Sequence, residues 1–581
     1  MSRAALTKPR ARTLEKLARL PGGDVIAAAD RLAHRGIPAR TVLQLDLSSM
    51  PTDVEPADPI MANLMARRST SLRRVVDGLS RAASDDRVVA LVARIGFPVA
   101  GLAGVQELRD AIAAFRASGK RALAWSEDLP GLASVYLAAA FDHVVLQPSG
   151  TVGLTGASRD VSFYADALRK VGVEAELAHR HEYKTYSNIF TENRYTDAHR
   201  ESDARLLGSW FDQVVAGVVQ GRGLREEDVR RLAARGPLRR DEALDAGLID
   251  GVGYRDEVMG AALAEAGDGA RFLDFPAYLR KKGKPRVGRK APTVALVMVN
   301  GAIVPGRSGF TPVPHPGPTA GADTVAGAIR AAAADESVRV IVLRVNSPGG
   351  SVTASESIWR EVVRAQQSGT PVVASFGDVA GSGGYWVAVH ADAIVAHPAT
   401  VTGSIGVISG KFVARDLKQR IGVAVDGVRT TPDAGMQSPN RPFTPAQRAN
   451  LEASLDQVYD DFVAHVAEGR GMSGDAVEKM ARGRVWTGID ARDGGLVNEL
   501  GGYPVAVRRA CEVAGIDPDA GVRVKVFPEP SPLALLRHKD GEPAAARLAG
   551  WALTALADHA ARSTVAATGA QARLDGDWKL R

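Results

Sequence analysis

The chain lacks most of the features that announce a compartment or a metal. It has one cysteine, Cys511, so no intramolecular disulfide can form and no CxxC cluster can hold a metal. Cys511 lies in VAVRRACEVAGI, where it reads as a small buried apolar residue, compatible with a reducing cytosol. No run approaches the ~18 consecutive apolar residues of a membrane-spanning helix. The first residues, MSRAALTKPRARTLEKLARL, are basic but have no uninterrupted apolar core, so they do not read as a secretory signal. These absences predict a chain kept on the cytoplasmic side. No HExxH or other dense ligand cluster occurs among the 11 histidines, and neither a metal nor another cofactor is expected.

Charge of one sign is scarce as well. The net charge is +7 over 581 residues, and residues 280–290, RKKGKPRVGRK, hold seven basic residues and no acid. The rest of the chain is balanced, which argues against a nucleic-acid surface. The basic stretch reads as a solvated linker, with weak attachment to anionic lipid as the alternative, at ~1 kcal/mol per basic residue near a membrane surface. Pro285 and two glycines predict that it is not helical. The length suggests three or four domains of ~150 residues, or two large ones.

What is present in quantity is self-similarity. DDRVVALVARIGFPVAG (85–101) lies over DESVRVIVLRVNSPGGS (335–351) at an offset of 250. The same offset aligns 116–124 with 366–374 and FDHVVLQPSGTVGLTG (141–156) with ADAIVAHPATVTGSIG (391–406). After a slip of two, 196–223 matches 444–471, and 245–253 matches 493–501 in the slipped register. Blocks in this order imply a tandem duplication. Each copy alternates β-branched runs, such as VRVIVLRV (338–345), TPVVASF (370–376) and ADAIVAHP (391–398), with segments of helical spacing, such as ASESIWREVVRAQQ (354–367). That pattern is α/β with buried, largely parallel strands. The expected organisation is a basic extension (1–40), a first copy (41–279), the linker (280–292), a second copy (293–528) and a C-terminal extension (529–581). Within the last, 543–561 could form an amphipathic helix.

The copies differ where chemistry would matter. In GDVAGSGGYWVAVHA (377–391), Ser382 lies between two glycines at an expected helix start, near backbone N–H groups that suit a nucleophile and its oxyanion. The first copy has Leu132 there. Asn346, Ser347, Pro348, Gly349 and Gly350 follow a strand of the second copy, against Gly96, Phe97, Pro98, Val99 and Ala100 in the first. The N–H groups of Gly349 and Gly383 could together hold a carbonyl oxygen. A serine needs a base, arginine cannot serve, and the chain has only 15 lysines. Lys184, in HEYKTYSNIF between a strand (173–180) and a helix beginning near Asp197, is the candidate; the second copy has Pro432, Asp433 and Ala434 in that region. One copy keeps the lysine and the other the serine, as a composite Ser/Lys site would require. The amine would have to be neutral, several units below its usual pKa of ~10.4. Ser404, in TVTGSIG, could orient it.

VNSPGGS (345–351), GDVAGSGGYW (377–386), HPATVTGSIG (397–406) and EYKTYSN (182–188) together resemble the long form of signal peptide peptidase A, a family of Ser/Lys peptidases with a ClpP/crotonase-like fold. The resemblance spans nearly all of 41–528. It implies Ser382 as nucleophile, Lys184 as general base, Gly349 and Gly383 as oxyanion donors and Ser404 as the residue that positions the lysine. It further implies a homo-oligomer, a tetramer by resemblance, that degrades cleaved signal peptides and other unfolded apolar peptides, with possible peripheral contact with the cytoplasmic membrane.

Other readings stay open at this point. A crotonase-type acyl-CoA hydratase or isomerase would use the same N–H pair with a carboxylate, the nearest being Asp378. A triad enzyme would recruit His390 or His397, and Lys411 is a fallback base. An inactive oligomeric scaffold would have no reason to keep one serine and one lysine on complementary copies.

Overall fold

The computed structural model describes residues 36–52, 71–97, 101–282, 288, 291–311 and 317–529. The expected amphipathic helix at 543–561 and nearly all of the N-terminal basic extension lie outside the described residues. Among the described residues, no helix is long and apolar enough to cross a membrane.

Two sheets carry the two copies. The first has six strands in the order Gly251–Val252, His143–Leu146, Arg121–Ser126, Val88–Ile95, Thr41–Leu47 and Arg271–Asp274, every neighbouring pair parallel. The second repeats its centre with Val372–Gly381, Val338–Ser347, Thr293–Asn300 and Arg523–Phe527, all parallel. Ala393–Ala396 and Val401–Gly403 both pair with successive parts of Val372–Gly381. The runs are apolar throughout because both faces are covered: Val338–Ser347 exposes only Arg339.

The duplication is visible in the helix ends. Thr196 and Thr444 each accept a hydrogen bond from the backbone N–H three residues on, starting the 26-residue helices Asp197–Arg222 and Pro445–Arg470. Both end on a left-handed glycine, Gly223 and Gly471. The first copy extends further than expected. Helix Phe275–Lys282 buries Phe275, Tyr278 and Leu279 in the first core, and Lys282 donates to the buried Asp85 carboxylate at 2.7 Å. The start of the basic stretch is therefore helical and anchored, because its apolar residues three and four apart have a core to enter and its lysines sit at the favourable C-terminal end.

The copies are clamped together by several contacts. Strand Glu174–His179 of the first pairs antiparallel with Ile408–Val413 of the second. On helix Asp197–Arg222, buried Trp210 donates its indole N–H to Ala399 O at 2.8 Å, and Ser209 lies 2.9 Å from the Thr487 hydroxyl. Arg344 of the second copy donates to Glu107 of the first at 2.8 Å, both side chains at most 3% exposed.

Candidate active site

Strand Val372–Gly381 runs past TPVVASF through GDVAG, so Ser382 stands at a strand end, before the four-residue helix Gly383–Trp386. Ser382 has φ +54° and ψ −119°, a conformation that costs about 1–3 kcal/mol for a residue with a Cβ. Two sets of bonds hold it there. Its N–H donates to Gly403 O at 2.8 Å, and its carbonyl accepts from Tyr385 and Trp386 N–H at 3.0 Å. The turn presents the hydroxyl beside the first N–H of the helix.

Lys184 reaches that hydroxyl from the first copy. It leaves the clamping strand Glu174–His179 just before the short turn Thr185–Ser187 and is 6% exposed. Its Nζ lies 3.0 Å from Ser382 Oγ, 2.9 Å from Ser404 Oγ and 2.8 Å from Ser404 O. No described ion pair includes it. Burial without a compensating carboxylate lowers its pKa from 10.5 to about 7. A neutral amine there can donate its two hydrogens to the Ser404 oxygens and accept the Ser382 proton on its lone pair. Ser404 is also left-handed (φ +51°), which turns its carbonyl and its hydroxyl toward the same amine.

The glycine-rich loop supplies N–H groups, with one change from expectation. Gly349 donates its N–H to Ser347 Oγ at 3.1 Å, so that donor is already engaged. Gly350 differs. Its neighbours make the bridge to Ile303, through Ile303 N to Gly349 O and Ser351 N to Ile303 O, so the Gly350 N–H points away from that strand. It faces Gly383: a Cβ on Gly383 would stand 3.2 Å from Gly350 N. Among the described hydrogen bonds, neither Gly350 N–H nor Gly383 N–H has an acceptor. Gly349 must still be glycine, since its φ is +99° and a Cβ would come within 2.7 Å of Gly383 N and 2.9 Å of Ser382 Cβ. Alternation of N–H directions along an extended loop was the signal that separates the two glycines.

The rival residues are engaged elsewhere. His390 lies beyond the end of the short helix, and its Nδ1 accepts from Trp359 Nε1 at 2.8 Å. His397 is buried 3.8 Å from Glu107. Asp378 accepts from Gly104 N–H at 2.9 Å across the two copies. Lys411 donates to Met436 O at 2.7 Å and sits over the Phe443 ring. In the first copy, Leu132 and Leu154 occupy the positions of Ser382 and Ser404, both fully buried.

The model of peptidase family S49 matches twice, at residues 114–267 and 364–517. "Protease 4" of Salmonella typhi is 32% identical over 500 residues, covering 82% of this chain and 79% of that protein. The chloroplastic serine protease SPPA of Arabidopsis thaliana is 29% identical over 467 residues, covering 79% of this chain and 68% of the relative. Among solved structures, a mutant of the membrane-bound stomatin-specific protease 1510-N matches 41% of this chain and 98% of its own, at 16% identity and a TM-score of 0.25. With two family matches that fall on the two halves of the duplication, the chain belongs to peptidase family S49, as a duplicated, long-form serine peptidase.

Proposed function

We propose that the chain hydrolyses peptides with a Ser382/Lys184 dyad built from both copies. The observation that carries this is the 3.0 Å contact between a buried amine, with its pKa lowered to about 7, and a serine hydroxyl held at a strained turn. Neutral Lys184 takes the Ser382 proton as Oγ attacks the carbonyl carbon. The oxyanion forms beside the N–H groups of Gly383 and Gly350, the latter replacing Gly349 as the second donor. The tetrahedral intermediate collapses, the Lys184 ammonium protonates the leaving amine, and water, deprotonated by the same lysine, hydrolyses the acyl-enzyme. Ser404 keeps the amine aimed through all of these steps.

The substrates in this reading are cleaved signal peptides and other unfolded apolar segments, as the resemblance to signal peptide peptidase A implies. The same reading places the protein on the cytoplasmic side as a homo-oligomer, a tetramer by resemblance, in peripheral contact with the membrane. Ser382→Ala and Lys184→Ala should each lower hydrolysis of an apolar peptide by roughly 10²–10⁴. A fluorophosphonate should label the wild type and not Ser382→Ala. Labelling at another serine, with hydrolysis intact in both variants, would remove the dyad.

A further inference from the structure

Three successive residues of the second copy hold three successive residues of the lysine loop. Arg482 forks onto the Glu182 carboxylate, Nε to Oε1 at 3.0 Å and Nη2 to Oε2 at 2.9 Å, and its carbonyl accepts the Tyr183 N–H at 3.2 Å. Gly483 lies against the lysine itself. Its φ is +84°, and a Cβ there would stand 2.4 Å from Lys184 N and 2.6 Å from Lys184 Cα and Cβ. The Arg484 guanidinium sits 4.8 Å from the centre of the Tyr183 ring, and both side chains meet Glu201, the guanidinium and the Tyr183 hydroxyl each at 2.9 Å.

The same three residues reach the other side of the amine. Gly483 N–H donates to Ile405 O at 2.7 Å, and Arg484 O accepts the Ser404 N–H at 2.8 Å. One short segment therefore touches both the backbone that carries the amine and the backbone that carries its hydrogen-bond acceptors. The segment is braced in turn. Arg482 has φ +59°, and its N–H donates to the Tyr459 hydroxyl at 3.2 Å, which donates to Glu478 at 2.7 Å. A left-handed arginine persists only where its surroundings over-determine it.

The duplication supplies an internal control. In the slipped register Arg482, Gly483 and Arg484 correspond to Ala234, Arg235 and Gly236, while Tyr459 and Glu478 correspond to Phe211 and Arg230. The first copy, with Leu132 and Leu154 in place of Ser382 and Ser404, thus lacks the fork, the glycine and the brace at the matching positions. These features go with the serines and not with the fold, which both copies share.

We propose that Arg482, Gly483 and Arg484 are positioning residues that fix how far the Lys184 amine enters between Ser382 and Ser404. Strand pairing delivers the loop, and this segment sets its depth. The inference rests on the Ser382/Lys184 reading and adds residues that act on the reaction through the lysine. The Arg482 and Glu182 side chains are 41% and 45% exposed, where an ion pair contributes little to folding. Their effect is geometric, since a base misplaced by ~1 Å lowers the rate by up to roughly 10²-fold.

Arg482→Ala and Glu182→Ala should each lower kcat for an apolar peptide by roughly 10- to 100-fold, with KM and the urea midpoint unchanged. Combined, they should lose no more than either alone, because they act through one fork. A loosened loop admits water, which stabilises the ammonium, so the acidic limb of kcat/KM should move above pH ~7 in both variants. The charged and titratable groups at this loop are His181, Glu182, Glu201, Glu478, Arg482 and Arg484. Through charge alone, loss of the acid would move the limb down and loss of the cation would move it up. Limbs moving in opposite directions would overturn the proposal, as would wild-type kcat in both variants while Lys184→Ala is inactive. Arg482→Lys keeps the charge without the fork and should recover only part of kcat. Gly483→Ala should lose more than either, and the exposed pair keeps the test decisive if that variant does not fold. Hydrolysis intact in Ser382→Ala or Lys184→Ala would remove the dyad reading itself, a different result from failure of the positioning segment.

Discussion

Lys184 is 6% exposed and has no carboxylate among its described partners, so charging it in the folded state is costly. A drop from 10.5 to about 7 corresponds to about 5 kcal/mol. The sign follows from proton counting. Below pH ~7 both folded and unfolded chains hold the proton and the full penalty applies. Between ~7 and ~10.5 only the unfolded chain holds it, so stability rises with pH, and above ~10.5 the penalty is gone. Lys184→Met carries no such term. The stability of wild type minus that of Lys184→Met, from urea unfolding, should therefore rise by up to about 5 kcal/mol across that window. A difference flat with pH would mean that the amine is solvated. Activity should follow the same group, with kcat/KM rising through pH ~7 to a plateau as the neutral amine becomes the dominant form.

Between elements, the contact that most directly sets Lys184 against Ser382 is the antiparallel pairing of Glu174–His179 with Ile408–Val413, which delivers the lysine loop. Behind it lies the buried pair of Glu107, on helix Leu102–Ala117, and Arg344, on strand Val338–Ser347. Burial alone would raise the Glu107 carboxyl, but Arg344 and His397 outweigh it and hold its pKa below the usual carboxylate range. Arg344 also donates to Ser375 Oγ at 3.0 Å, and Glu107 accepts from Tyr503 N–H at 3.1 Å. Glu107→Ala would leave a guanidinium buried with its charge unmatched, costing about 3–5 kcal/mol in chemical denaturation. Arg344→Met with Glu107→Leu, which removes both charges at similar volume, should recover most of that loss. Equal losses in the single and double variants would mean that packing, not charge, dominates there.

For the whole molecule, the decisive fact is that serine and lysine meet within one chain. Mixing Ser382→Ala with Lys184→Ala should therefore restore no hydrolysis, even after unfolding and refolding together, because each chain carries its own incomplete dyad. Recovery of a sizeable fraction of wild-type activity would place the functional pairing across a subunit boundary.

The duplication, the α/β alternation and the complementary loss of serine and lysine were all legible in residue order, because a repeat supplies its own internal comparison. Leu132 against Ser382 is visible without coordinates. The helix at the start of the basic stretch was not legible, since Pro285 lies beyond the turn that Phe275, Tyr278 and Leu279 anchor. The residues of the PGG turn were legible, but not which N–H is spent: Gly349 and Gly350 differ only in the direction that neighbouring bridges impose. Residue order determined which groups are available to react. Tertiary packing decided which amine loses its water and how closely it approaches the hydroxyl, because desolvation and distance depend on what surrounds an atom in space.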